Sequence, residues 1–147
     1  MNILKKITIY IMSLLYIVIG IRHFLEPDFF IAIVPPPLIY KKSIVLISGL
    51  IEIIMGFLLL FQKTRKIGAW GIICVLILVF PANIYLYISE FPREIIGVSK
   101  SQALLRIPFQ IPLILLSYWH SKKIASKRFS IICVVLFVAT ISYFTTI

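Results

Sequence analysis

The chain has 147 residues, of which 61% are hydrophobic, and its formal net charge is +10. A soluble domain averages about 45–50% apolar residues, and a chain of this size cannot hide the excess in one core. The composition therefore excludes an ordinary soluble domain and predicts that lipid surrounds most of the chain.

Five apolar segments predict transmembrane helices, because a helix needs about 20 mostly apolar residues to cross the hydrocarbon. In chain order they are residues 7–24, 43–62, 67–89, 104–120 and 129–147. The first and fourth reach this length only if Arg22 and Arg106 lie near an interface or in a protein-lined interior. The predicted fold is an all-α membrane protein. Residues 1–123 form an antiparallel four-helix transmembrane bundle, and residues 124–147 form a peripheral fifth transmembrane helix at the C-terminus.

Two connections interrupt the apolar pattern on one side of the predicted membrane. Residues 25–42 contain Pro27, which ends the first helix because proline disfavours helical geometry in the preceding residue. The segment 29–34, between Pro27 and a triple proline at 35–37, is too apolar for a free loop, so we expect it to dip into the outer interface of the membrane or to cap the bundle. The second connection, residues 90–102, is polar and lies on the same side.

The basic residues alternate between the two sides of the membrane. Nine of them precede the first span or lie in the second-to-third and fourth-to-fifth links, whereas the opposite loops hold four, two of them offset by Glu90 and Glu94. The positive-inside rule then predicts a multi-pass protein of the cell inner (cytoplasmic) membrane, with its N-terminus cytoplasmic and its C-terminus outside. The lipid bilayer is the expected partner, and nucleic acid is not needed to explain the charge. No small-residue cleavage site follows the first span, so we expect that span to be retained.

Glu52 stands near the centre of the second span, where a carboxylate costs at least about 2.5–3.5 kcal/mol and needs a partner or a function. Gly49, Glu52 and Gly56 share one helix face, and the glycines permit close helix approach. This pattern points Glu52 into the bundle. We expect it to pair with Arg106 or Arg22, and with His23 as the third choice.

The strongly polar intramembrane residues lie at the midplane or in the outer half of the bundle, as judged from the helical rise of about 1.5 Å per residue. The predicted buried polar network, or ligand site, consists of Arg22, His23, Glu52, Asn83, Arg106 and Gln110. Three interpretations stay open: a network that only fixes helix register, a ligand site open to the outside, and a path for protons or ions. The ligand class left open is a quinone or a lipid, with Phe29, Phe30 and Phe80 as apolar walls.

Familiar catalytic and metal patterns are missing from the sequence. It shows no Ser-His-Asp arrangement, no phosphate-binding loop, and no cysteine or histidine spacing typical of a metal site. We therefore favour a non-catalytic protein over an enzyme. Trp70, Tyr118 and Trp119 lie near the inner ends of their spans and are interpreted as interfacial anchors.

Several short motifs, taken in order, resemble the DoxX-like family of small bacterial membrane proteins. They are Gly20-Ile21-Arg22-His23-Phe24, Pro27-Asp28-Phe29-Phe30, Pro35-Pro36, Ser48-Gly49-Leu50-Ile51-Glu52-Ile53, Thr64-Arg65-Lys66, Ala69-Trp70-Gly71, Phe80-Pro81-Ala82-Asn83-Ile84-Tyr85 and Leu105-Arg106-Ile107-Pro108-Phe109-Gln110. The resemblance covers residues 7–123 and implies a four-helix membrane bundle. Members of that wider group are associated with quinone-linked oxidoreductases, oxidative-stress complexes and chaperoning of membrane receptors. The fifth apolar segment departs from the four-span pattern.

Together these observations favour a non-catalytic subunit or helper of a membrane redox or stress-related process, with a membrane or redox protein as its partner. The alternatives are a protein that binds a quinone-like or amphipathic small molecule and, third, a transporter.

Overall fold

The computed structural model describes residues 3–145, and this part of the chain is built from seven α-helices. In chain order they are α1 (Ile3–Leu25), α2 (Pro27–Ala32), α3 (Lys41–Leu60), α4 (Arg65–Ile88), α5 (Glu90–Ile96), α6 (Lys100–Ser121) and α7 (Lys127–Thr145). The five long helices coincide with the five predicted spans. The predicted units 1–123 and 124–147 also include residues 1, 2, 146 and 147, which lie outside the described residues.

Three of the helices, α1, α3 and α4, are long and apolar enough to cross a membrane, judged by length and composition over the described residues. This supports a multi-pass membrane protein. The helices α6 and α7 are not among the three, and α6 carries buried polar side chains at Gln110, Ser117 and His120. A topology with five spans therefore stays a prediction.

The long helices pack in chain order, α1 against α3, α3 against α4, and α4 against α6, and α7 then packs against both α6 and α1. Cys133 and Phe137 of α7 join the same hydrophobic core as Leu116 and Trp119 of α6. With the buried Thr140, they form an inward stripe at the helical spacing i, i+4, i+7. This stripe gives α7 a more integral place than the peripheral one that we expected.

Two short helices lie at one end of the bundle, which we call the cap end. The segment expected to cap the bundle forms α2, which packs against α1, α3 and α5. The helix α5 was not predicted. It ends at Gly97, whose positive φ of 67° suits glycine, and Ser99 then starts α6 through a capping box with Gln102.

Arg93 of α5 fastens the cap end to α4. Its Nη1 donates to the carbonyl oxygens of Leu86 at 3.2 Å and Tyr87 at 2.6 Å, which belong to the last turn of α4 and have no helical partner there. The opposite end of the bundle, where α1 and α4 begin and α3 and α6 end, we call the basic end.

Candidate functional site

Helices α1 and α3 approach each other closely at glycines. A Cβ on Gly20 would lie 2.5 Å from the carbonyl oxygen of Gly49, and one on Gly49 would lie 2.5 Å from the Cβ of His23. Further along, the Ser13 hydroxyl donates to the carbonyl oxygen of Gly56. Small residues allow such contact between membrane helices, so the two backbones meet almost without intervening side chains.

Glu52 lies within this contact and faces His23. Its carboxylate Oε2 is 3.7 Å from the His23 Nδ1, and both side chains are 7% exposed. The same Nδ1 lies 2.9 Å from the carbonyl oxygen of Ile19. Because a carbonyl only accepts hydrogen bonds, Nδ1 carries a proton and donates it to Ile19. In a neutral imidazole, Nε2 is then the nitrogen that can accept.

Aromatic rings enclose the Glu52–His23 pair. The Phe30 ring of α2 stacks on the His23 ring, with centroids 3.7 Å apart and planes 20° apart. Tyr16, two helical turns before His23 on the same face of α1, is also buried. The cap end therefore closes directly over the pair, as the apolar segment around Phe30 indicated.

The chemistry available at this pair is limited but specific. Glu52 Oε2 is buried and has no hydrogen-bond partner. An unpaired carboxylate is costly in an apolar setting, so it either holds a proton or accepts a hydrogen bond from a donor that enters. The neighbouring imidazole can exchange a proton with such a donor.

The other four predicted site residues are placed elsewhere. Arg22 is half-exposed and pairs with Glu26 one turn later, with 2.7 Å between Nη2 and Oε2. Arg106 of α6 is half-buried, and its Nε has no hydrogen-bond partner. It lies on the part of α6 where Tyr143 of α7 stacks on Phe109 and donates to the carbonyl oxygen of Gln102. Among the described residues, no ion pair joins Glu52 to an arginine, which differs from the partner expected from the sequence.

The two predicted amides also stay apart from Glu52 in their contacts. Gln110 is buried, and its Nε2 donates to the carbonyl oxygen of Leu76 at 3.3 Å. This carbonyl lies one residue before the one that Pro81 leaves without its helical donor. Gln110 therefore donates to the α4 backbone rather than to Glu52. Asn83 is half-buried on α4. Ligand binding by the six predicted residues stays a prediction.

A second polar cluster, which sequence reasoning underrated, lies near the basic end. The Thr8 hydroxyl is 3.1 Å from His120 Nε2, and Lys5 Nζ donates to the carbonyl oxygen of Lys122 at 2.7 Å. These side chains are nearly fully buried, as is Ser117, and Ser117 Oγ and His120 Nδ1 have no hydrogen-bond partner. The signal in the sequence is the spacing of Ser117 and His120, which share one helix face. Lys5 is one of the basic residues that precede the first span.

Neither cluster forms a metal centre. Within the described residues, no three side chains of His, Cys, Asp or Glu come together as metal ligands. Trp119, predicted as an interfacial anchor, is buried between α6 and α7 and donates from Nε1 to Ser130 Oγ at 3.3 Å. Its indole nitrogen finds its partner inside the protein rather than at the membrane surface.

Comparison with known proteins places residues 12–121 in one family model, described as a domain of unknown function. The match runs from within α1 to the end of α6 and includes Glu52, His23 and His120. No curated protein and no solved structure matches the chain. These comparisons do not support the resemblance to the DoxX-like family. Since the matched range covers most of the chain, the protein belongs to the family described as domain of unknown function DUF8561.

Proposed function

We propose that the protein is a multi-pass inner-membrane protein that acts as a non-catalytic subunit or helper, and that the Glu52–His23 pair locks α1 against α3. The observation that carries this proposal is the tight glycine contact around the pair, in which even an added Cβ at Gly49 would meet His23 at 2.5 Å. Such packing favours a register-fixing role over a roomy catalytic chamber. Buried polar groups can specify one arrangement of helices in this way.

The proposed organisation follows the predicted one. Residues 1–123 form the family unit, which is consistent with the match to residues 12–121, and residues 124–147 add a further helix. The basic end is placed in the cytoplasm because it holds most of the positive charge. The link to a redox or stress-related process depends on the resemblance to the DoxX-like family alone.

A direct test uses the natural host. The gene is deleted, and growth under oxidant is measured after complementation with the wild type, with Glu52→Gln, or with Glu26→Gln as an exposed control. In parallel, membranes are solubilised in digitonin and resolved on native gels. If the protein is a helper, it migrates on the gel in a complex larger than the protein alone in its detergent micelle. Purification of the partner protein from that complex then recovers this protein as well. A protein that migrates alone and whose loss leaves oxidant tolerance unchanged would contradict the proposal.

A small-molecule binder is the second candidate, favoured by the Glu52 Oε2 that has no hydrogen-bond partner. A ligand with a hydroxyl or quinol donor would satisfy this atom beneath Phe30. To separate the candidates, the purified wild-type protein and the Glu52→Gln variant are each titrated with a short-chain quinol. Saturable binding that Glu52→Gln removes supports the binder, and unsaturable partitioning in both proteins supports the helper.

A further inference from the structure

A groove at the basic end is bounded by helices from both termini of the described chain. It has a volume of about 550 Å³ and lies between the start of α1, the end of α6 and the first half of α7. Its walls include Leu4, Trp119, Lys127, Ile131, Val134 and Val135. One charged residue therefore lies at one end of a mostly apolar surface, and the volume falls in the range of about 300–1,000 Å³ that is typical of ligand sites.

The α7 wall of this groove has a direction. Lys127, Ile131 and Val134–Val135 follow the spacing i, i+4, i+7/i+8 and share one helix face. At about 1.5 Å per residue, this stripe runs for about 12 Å from its charged end. Lys127 is also the first residue of α7, where the helix dipole favours an anion.

The surroundings of the groove are positively charged and contain no carboxylate. The basic residues of the chain at this end are Lys5, Lys6, Lys63, Arg65, Lys66, Lys122, Lys123, Lys127 and Arg128, and all five acidic residues lie elsewhere, namely Glu26, Asp28, Glu52, Glu90 and Glu94. Lys5 lies beside one wall of the groove, with its Nζ 5.2 Å from the centroid of the Trp119 ring. Positive charge therefore predominates around the groove.

We propose that this groove binds one anionic phospholipid, with the phosphate at Lys127 and the start of α7 and an acyl chain along Ile131, Val134 and Val135. Basic pockets between membrane helices on the cytoplasmic side are suited to anionic headgroups, and an apolar stripe is suited to a chain. A second copy of this protein does not fit the charge pattern, because it would bring two basic ends together. A free phosphate would leave the apolar stripe uncovered.

The experiment uses the full-length protein in neutral detergent, with Trp70→Phe as background so that Trp119 is the remaining tryptophan. Phosphatidylglycerol with brominated acyl chains is titrated in, and quenching of Trp119 fluorescence is compared with that from brominated phosphatidylcholine of the same chains. We expect saturable quenching at about fivefold lower concentration for the anionic lipid, the effect of roughly one lysine contact. Equal curves for the two lipids would overturn the proposal.

Two pairs of variants locate the site. Lys127→Gln should abolish the preference for phosphatidylglycerol, and Val135→Phe, which adds no tryptophan, should weaken the binding of that lipid about fivefold. The matched controls replace an exposed lysine at the same end, Lys123→Gln, and an exposed valine outside the groove, Val138→Phe, and both should bind the lipid as the Trp70→Phe background does. Equal losses in variants and controls would refute the assignment to this groove.

A third arm distinguishes a lipid from a free anion. Glycerol 1-phosphate and inorganic phosphate are added as competitors of the brominated phosphatidylglycerol at millimolar concentration. We expect little displacement, because the acyl chain supplies much of the binding. Full displacement by either anion at low millimolar concentration would show an anion site that needs no lipid and would overturn the proposal.

Discussion

Gly20 provides the sharpest test of the α1–α3 contact. Replacement by alanine adds one methyl group, whose carbon would lie 2.5 Å from the carbonyl oxygen of Gly49, 2.7 Å from Cγ1 of Ile53 and 3.0 Å from its backbone nitrogen. Two of these three atoms belong to the α3 backbone, which cannot rotate away. The helices would have to separate, and His23 would move with α1 relative to Glu52.

The expected magnitude is a balance of two effects. Overpacking a well-filled contact usually costs about 1–3 kcal/mol. Alanine in place of glycine within a helix returns up to about 1 kcal/mol. For Gly20→Ala the net loss in the free energy of unfolding is therefore about 1–2 kcal/mol, which lowers the melting temperature by about 2–8 °C in a chain of this size.

Gly71→Ala is the matched control. Its added methyl would meet the Sδ and Cγ of Met55, which belong to an unbranched, flexible side chain that can adopt another rotamer. We expect a change of less than about 1 kcal/mol in either direction. Both variants are unfolded thermally in the same detergent, with helicity followed by circular dichroism. If Gly20→Ala were as stable as Gly71→Ala, the close contact between α1 and α3 would be refuted.

Three further predictions address the site and the topology. In double-mutant cycles on the free energy of unfolding, Glu52→Gln should couple with His23→Gln by at least about 0.5 kcal/mol and with Arg106→Gln by nearly zero. The reverse order would show that Arg106, not His23, is the partner of Glu52. Phe30→Ala should lower stability by about 1–2 kcal/mol because the stack on His23 is lost, while a neutral result would show that α2 is not held there. A cysteine at position 63 should react with an impermeant reagent only from the cytoplasmic side, and labelling from outside would invert the topology.

The sequence was sufficient to predict the long helices and the direction in which Glu52 points. Apolar length defines a membrane helix, and the stripe of Gly49, Glu52 and Gly56 identifies the face that meets a neighbour. On the partner helix, Gly20 and His23 are three residues apart and share one face. Both faces indeed meet in the structure.

The partner of Glu52 could not be ranked correctly from helix faces alone. Arginine was preferred because it keeps its charge and can bind a carboxylate through two nitrogens. In the structure, Arg22 pairs with Glu26 on its own helix. Arg106 lies on the part of α6 that Tyr143 contacts through Phe109 and Gln102. The position of α7, which supplies Tyr143, depends on packing between distant parts of the chain that no local pattern encodes.

The same limit explains why the cluster at the basic end was underrated. Lys5 and Thr8 belong to the start of α1, and His120 to the end of α6, so their contact joins residues more than a hundred positions apart. A lysine before an apolar segment is normally a solvated topology signal. Burial of its aliphatic part against Trp119 becomes visible only after the helices are assembled.

The two polar clusters bear on the third alternative, a transporter. Thr8 and His23 are both on α1, about 22 Å apart along the helix axis. Between them the core is packed with Met12, Leu59 and Ile72, each at most 1% exposed. A proton or ion moving from Glu52 to His120 would pass mainly apolar side chains at a high energetic cost, and the Ser13 hydroxyl in this layer already donates to the carbonyl oxygen of Gly56. The arrangement therefore favours two separate sites, a structural pair beneath the cap end and a lipid-binding groove at the basic end, over one continuous path.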